Sequence, residues 1–337
     1  MKKFTKLVLA TSVAFSANAM AMQAMDDASL SETTGQDGIS IGIGISKIEI
    51  EKLFIHDNDG LNGTISNAGA IVIKGNGEGV TAAHGVVIGA NYADNGAHLL
   101  TTKNLADLQI DSDAGDVNNG GAFLNIAAQV SGLKVNIGEI GVTASGTQDL
   151  TTSLRRGGND NNYNAILSGL EIVTGKMDAN IQVGAAPQGA MIKLNTTMTG
   201  GLEIKNLGLL DNSTKGKAAG FAMTSATSSE DILTSEAGEI FIESIKVADA
   251  NSNDLTINSD IQIFNDAVGA LTGEQRAAHL RIVSNDTGTK DQYIKGIHLG
   301  SRNAGSIGDM EVQGLQTYWS PSAGTYTKGA VITISGR

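Results

Sequence analysis

The run Ile39-Ser40-Ile41-Gly42-Ile43-Gly44-Ile45 alternates isoleucine with residues no larger than serine. Strict alternation is the period of a β-strand with one apolar face. Just beyond it, Ile48 and Ile50 resume the alternation, a three-residue step follows, and Leu53 and Ile55 resume it again. The same apolar-x-apolar-x-x-apolar-x-apolar pattern returns at Val135, Ile137, Ile140 and Val142, and at Ala165, Leu167, Leu170 and Ile172. Further copies are Leu202, Ile204, Leu207 and Leu209, then Ile240, Ile242, Ile245 and Val247. Shorter ones stand at Leu105, Leu108 and Ile110, at Ile294, Ile297 and Leu299, and at Ile307, Met310 and Val312. On an unbroken strand the step would turn the second pair to the opposite face. Either both faces are buried, or a bulge or corner at the step restores the facing. Gly138, Gly169 and Gly208 stand at or beside the step, where a bend needs them.

Several of the copies start roughly 30–38 residues apart, the spacing of a layered repeat. The expected fold is therefore all-β: an elongated, repeated β-layer architecture, β-solenoid-like or an extended β-sandwich, with at most short helices. Phe123–Val130, Met191–Met198, Phe221–Ser225, Leu255–Phe264 and His279–Ser284 read as partner strands. The one internal helix expected covers Asp266–Leu280, where Thr272 and Gln275 have capping-box spacing. Gly157–Asn162 reads as a loop, and Arg156–Asn162 as a soft division within a single β-rich domain spanning residues 39–337.

Composition agrees with many short strands joined by tight turns. The chain has 43 glycines, 2 prolines and 4% aromatic residues. So few aromatic residues also argue against an outer-membrane barrel, which carries aromatic girdles. Cysteine is absent, which excludes disulfides, thiol catalysis and thiolate metal sites.

The first 21 residues read as an export signal. Lys2, Lys3 and Lys6 supply the basic end, Leu7–Phe15 the apolar run, and Ala19-Met20-Ala21 a small-x-small cleavage site. The apolar run is too short to span a bilayer, and no later stretch is long enough, so no transmembrane segment is expected in the mature chain. The full chain carries a net charge of −12, and loss of three lysines with the signal would make it more acidic. Such a chain has no long-range attraction for nucleic acid. The expected destination is the periplasm, cell surface or extracellular space.

Few residues suggest chemistry. Asp57 and Asp59, in Asp57-Asn58-Asp59-Gly60, have part of a calcium-loop spacing without a closing acid, and a turn explains them equally. The histidines His56, His84, His98, His279 and His298 show no zinc spacing, and His56 and His298 read as outward-facing strand residues. Tyr318 and Trp319 concentrate aromatic surface near the C-terminus and could serve a ligand or a partner. No catalytic residue and no cofactor is nominated.

Residues 22–38 form a polar segment with a recognisable motif: Met25-Asp26-Asp27, then Leu30-Ser31, Thr34-Gly35-Gln36, Gly38 and Ile39. Ser29 and Glu32 have capping-box spacing with Gly35 as a stop, so the segment can form a turn or two of helix. This LSxxTGQxG pattern resembles the start of the FilA-like pilus-assembly family of Acinetobacter-type bacteria. The resemblance covers about 40 residues and implies a surface-filament context, with other filament or pilus-assembly proteins, or the chain itself, as partners; it brings no catalytic residues.

The expected function is thus non-catalytic: assembly of a surface filament or membership in it, through strand addition. Backbone hydrogen bonds would give affinity, and Ile39, Ile41, Ile43 and Ile45 would be the anchors. The same strand could equally open the folded domain. Two other readings stay open: a secreted polysaccharide-processing β-helix enzyme and a carbohydrate-binding adhesin.

Overall fold

The computed structural model describes residues 38–61, 63, 68–216, 236–265 and 278–336. The chain divides into two compact units, Met1–Ile39 and Ser40–Arg337. The fold described here is that of the second, whose first strand begins at the boundary. It is nearly all β, as expected. Helices among the described residues are single turns at Gly79–Thr81, Ala93–Gly96, Val117–Asn119 and Asn212–Thr214.

Sheet I has eight strands in the order β1 (Ile39–Ile43), β6 (Ala106–Asp113), β7 (Phe123–Val130), β11 (Met177–Gly184), β12 (Ile192–Met198), β15 (Leu255–Phe264), β16 (His279–Ser284) and β21 (Ala330–Ile334). Sheet II runs β2 (Lys47–Ile50), β5 (Val86–Ala90), β8 (Leu133–Ile137), β10 (Gly158–Val173), β13 (Leu202–Asp211), β14 (Gly238–Asp249), β17 (Lys290–Gly300) and β18 (Ser306–Leu315). Three further strands, β3 (Leu53–His56), β4 (Gly69–Lys74) and β9 (Glu139–Ser145), lengthen the ranks of β2, β5 and β8. A separate hairpin pairs β19 (Tyr318–Trp319) with β20 (Thr327–Lys328).

The two orders describe one object. β7 turns a corner at Ser131-Gly132 into β8, β10 turns at Thr174-Gly175 into β11, and β12 turns at Thr199–Gly201 into β13. β7 pairs with β11 in sheet I as β8 pairs with β10 in sheet II. The same correspondence joins β12–β13 to β15–β14, and these to β16–β17. The unit is an antiparallel meander of long strands, each bent once, so that one half of every strand lies in each sheet.

The corners are built from backbone and small polar groups. The Ser131 hydroxyl donates to the Asn104 carbonyl at 2.6 Å and accepts from the Leu100 amide at 3.0 Å. The Thr174 hydroxyl accepts from the Leu133 amide at 2.9 Å, and the Asn91 side chain donates to the Thr174 carbonyl at 3.1 Å. At a later corner Lys290 bridges Asp249 and Asp286.

Each sheet has a continuous aliphatic face. In sheet I one rung is Ile110–Ile126–Ile181–Ile192–Ile261–Ile282–Ile332 across seven strands. In sheet II another runs Ile48–Ile88–Val135–Ile172–Ile204–Ile245–Ile294–Met310 across eight. Burial on these faces is deepest beside the corners, where Met198 and Leu255 are 4% and 6% exposed, and falls off toward the hairpin ends, where Ile263 is 65% exposed. The halves of a bent strand converge at its corner, so they cover each other there and less beyond.

The three-residue step of the sequence is a crease across sheet II. It falls between Leu167 and Leu170, between Ile204 and Leu207, between Ile242 and Ile245, and between Ile294 and Ile297. Asn206 and Gly296 have φ of 55° and 65° there, and β10 and β17 shift register on crossing it. Ser168, Gly169, Leu170 and Glu171, which span the step, border one groove with Asn136 and Arg302. The sequence repeat is this crease, met once per rank.

Several expectations need correction. The strand pairings among the described residues are antiparallel, so these strands form layered sheets and not a solenoid of parallel rungs. Gly158–Asn162 begins the 16-residue strand β10; the expected loop is a bulge, because Asn159 and Tyr163 oppose the adjacent residues Ala144 and Thr143. Arg156–Asn162 therefore leads into a continuous strand. The helix expected over Asp266–Leu280 lies mostly outside the described residues, and its last two residues, His279 and Leu280, open β16. The strand expected at Phe221–Ser225 and the helical turns in the 22–38 segment also lie outside the described residues.

Candidate functional site: the ends of the sheets

A bent meander has two ends, each offering a strand edge in both sheets. One end is β1 with β2, the other β21 with β18. β1 is an edge strand of sheet I paired with β6, and the Leu105 amide donates to the Ile43 carbonyl at 2.9 Å. The proposed anchor strand is thus the first strand of the folded unit, the second of the two readings left open by the sequence. Its isoleucines remain available: Ile39, Ile41 and Ile45 are exposed and Ile43 is half-buried. The opposite face is small for a steric reason. A Cβ on Gly42 would lie 2.5 Å from the Asn104 side-chain nitrogen. That nitrogen donates to Asp107 Oδ1 at 2.6 Å, which holds the Asn104 side chain against β1.

In β2, Lys47 and Glu49 form an ion pair at 2.6 Å, and Lys47 holds the Glu49 carboxyl below its ordinary value. At the other end β18 exposes Ile307, Met310 and Leu315. Asp309 is turned back onto its own sheet. Its carboxylate accepts from the Gly296 amide at 2.8 Å and the Tyr293 hydroxyl at 2.7 Å, which hold it below the ordinary range. Glu311 lies opposite Tyr293, on the face away from Met310.

The other nominated residues do not converge on these edges. Tyr318 is exposed and Trp319 half-buried in the small β19–β20 hairpin, with exposed Tyr326 nearby in sequence. Asp57 accepts from the Asp59 amide at 3.2 Å, and Asn58 accepts from the Arg156 guanidinium at 2.6 Å, so the segment is a turn with a cation at its side. His56 bonds Ser145 Oγ at 2.7 Å and stacks on Phe54; burial and the Arg156 charge hold its pKa down. His298, expected to face outward, is buried against Phe241, with Nδ1 2.6 Å from the Ala304 carbonyl oxygen. The crease turns its face inward under the 300–305 turn. Among the described residues no group of three or more His, Asp and Glu side chains is placed to hold a metal ion.

Sequence reasoning missed the most organised polar cluster. Glu239 is buried and grips Arg302 through both oxygens, at 2.9 and 3.2 Å. Ser168 Oγ donates to the same carboxylate at 2.6 Å, Arg302 reaches Glu78 at 3.3 Å, and its guanidinium lies over the Phe241 ring. Of these, Glu78, Ser168 and Arg302 line a groove of about 340 Å³ together with Asn76 and Thr81. The Glu239 carboxylate, which also accepts from the Arg302 backbone amide at 3.2 Å, ties the 300–305 turn to sheet II. A second groove of about 620 Å³ on sheet I is lined by Asp107, Gln109, Asn180, Gln188, Lys193 and Asn195.

Residues 1–118 match a family model described as a family of unknown function (DUF6160). The matched span ends in the turn after β6, so it takes in the whole β1–β2 edge. No curated protein and no solved structure matches the chain.

Proposed function

We propose that this chain is an exported, non-catalytic protein that works in the assembly of a cell-surface filament, or as part of one, by adding strands at its sheet edges. The observation that supports this reading is the β1–β2 end of the sheets, where among the described residues β1 pairs with β6 on one side alone and Ile39, Ile41 and Ile45 are exposed. An edge strand with exposed isoleucines is a template for another chain unless it is blunted. β1 has no charge and no proline to blunt it. The export signal and the LSxxTGQxG segment agree with a surface destination.

The test is the double variant Ile41→Asp, Ile43→Asp. Filament formation is expected to be lost while export continues, as judged by electron microscopy of cells labelled with antibody to this chain. Normal labelled filaments in that variant would overturn the reading. The adhesin reading keeps one specific support, the exposed Tyr318 and half-buried Trp319. Glycan binding that survives Trp319→Ala would remove it.

A further inference from the structure

We infer that the partner at these edges is a second copy of the same chain, docked head to tail so that the β2 edge of one copy continues sheet II beyond β18 of the next. The inference rests on the strand-addition reading above and names its partner.

Three observations carry it. The first is parity. Sheet II has eight ranks, and every step from β2 to β18 is antiparallel. Seven antiparallel steps leave β18 opposed in direction to β2. A copy moved along the sheet therefore presents its β2 antiparallel to β18, and the alternation continues without a break. The second is the rung itself. Ile48 and Met310 are the two ends of the eight-residue aliphatic ladder, and both are exposed. Pairing Met310 with Ile48 of the next copy carries the ladder forward at the same level.

The third is charge, and it selects the register. With Met310 opposite Ile48, Glu311 meets Lys47 on the polar face. Asp309 then opposes Glu49, but each of these carboxylates is already held within its own chain, by Gly296 and Tyr293 and by Lys47. Moving the pairing by two residues, with Met310 opposite Ile50, sets Glu311 against Glu49 and Asp309 against Glu51, so Glu311 loses Lys47 and no attractive pair replaces it. A head-to-tail contact that does not close on itself makes an open filament. Eight ranks at about 4.8 Å each would add about 38 Å of sheet per copy.

The experiment uses the exported chain purified from expressing cells, in sedimentation velocity and negative-stain microscopy, with circular dichroism to check folding. The wild type is expected to form filaments with an axial repeat near the eight-rank length. Lys47→Glu and Glu311→Lys should each raise the concentration needed for assembly at least tenfold. The double reversal should restore assembly. Single variants that assemble like wild type, or a double variant that stays monomeric beside an assembling wild type, overturn this register and partner. A chain that is monomeric alone yet labelled along fibres on cells overturns the self-partner inference and leaves strand addition standing. A monomer found on no fibre overturns both.

Discussion

The Glu239 carboxylate is the residue on which the outer part of sheet II is fastened. Burial pushes its pKa up; the hydrogen bonds and charge of Arg302, with Ser168, outweigh burial and bring it below the ordinary 4.5. Its contribution to stability is therefore complete above about that value and is lost as pH falls through the lower folded pKa. Urea titrations are expected to show wild type losing stability on acidification below pH 4.5, with Glu239→Gln losing less over the same range. Removing the partner is costlier than removing the charge. Arg302→Met leaves a buried carboxylate unpaired and should cost about 2 kcal/mol at neutral pH by urea midpoint. Gly208 is held to hydrogen by the same cluster, since a Cβ there would lie 2.1 Å from both Glu239 Oε1 and Ser168 Oγ. Gly208→Ala is expected to destabilise by about 1–3 kcal/mol, measured in the same way.

At the scale of the element, the crease decides which face each strand shows. Asn206 holds a left-handed conformation at the step of β13, a conformation that asparagine tolerates and β-branched residues do not. Asn206→Val should cost roughly 1–2 kcal/mol, whereas Asn206→Gly should be close to neutral, by thermal or urea unfolding. If valine is tolerated as well as glycine, the left-handed residue is not what forms the step. The edge strand β1 has a constraint of its own. Gly42→Val would push Asn104 off the strand and break its bond to Asp107. Hydrogen exchange should then quicken at the Leu105 amide, whose acceptor is Ile43, while amides of central strands such as β12 keep their protection.

The whole unit carries large aliphatic surfaces without a deep core. Ile240 and Leu299 are 47% and 52% exposed near the ends of paired strands, and the isoleucine rung of sheet I is half-buried up to Ile332, which is exposed. A half-buried isoleucine contributes about 1 kcal/mol, so stability comes from many such rungs acting together and from backbone pairing. Surfaces of this kind on an acidic, cysteine-free chain suit a molecule completed by its neighbours. Net charge keeps separate copies apart at low salt, so assembly is expected to strengthen as salt screens that repulsion, measured by light scattering between about 0.02 and 0.2 M salt.

The sequence by itself determined the all-β class, the positions of most strands, and the step that bends them. These are local facts, written in a period of two residues and in where glycine and asparagine stand. Phe123–Val130 and Leu255–Phe264 are strands with the expected bounds for that reason. Only the tertiary structure decided that every full copy of the repeat lies in sheet II while the short copy at Leu105–Ile110 falls at β6 of sheet I, and that Ile39–Ile43 is already paired with β6. It alone brought Glu239 to Arg302, 63 residues apart, and turned His298 inward. Pairing between distant segments depends on which strands lie side by side. Alternation records only which face of a strand is apolar and is silent about its neighbour.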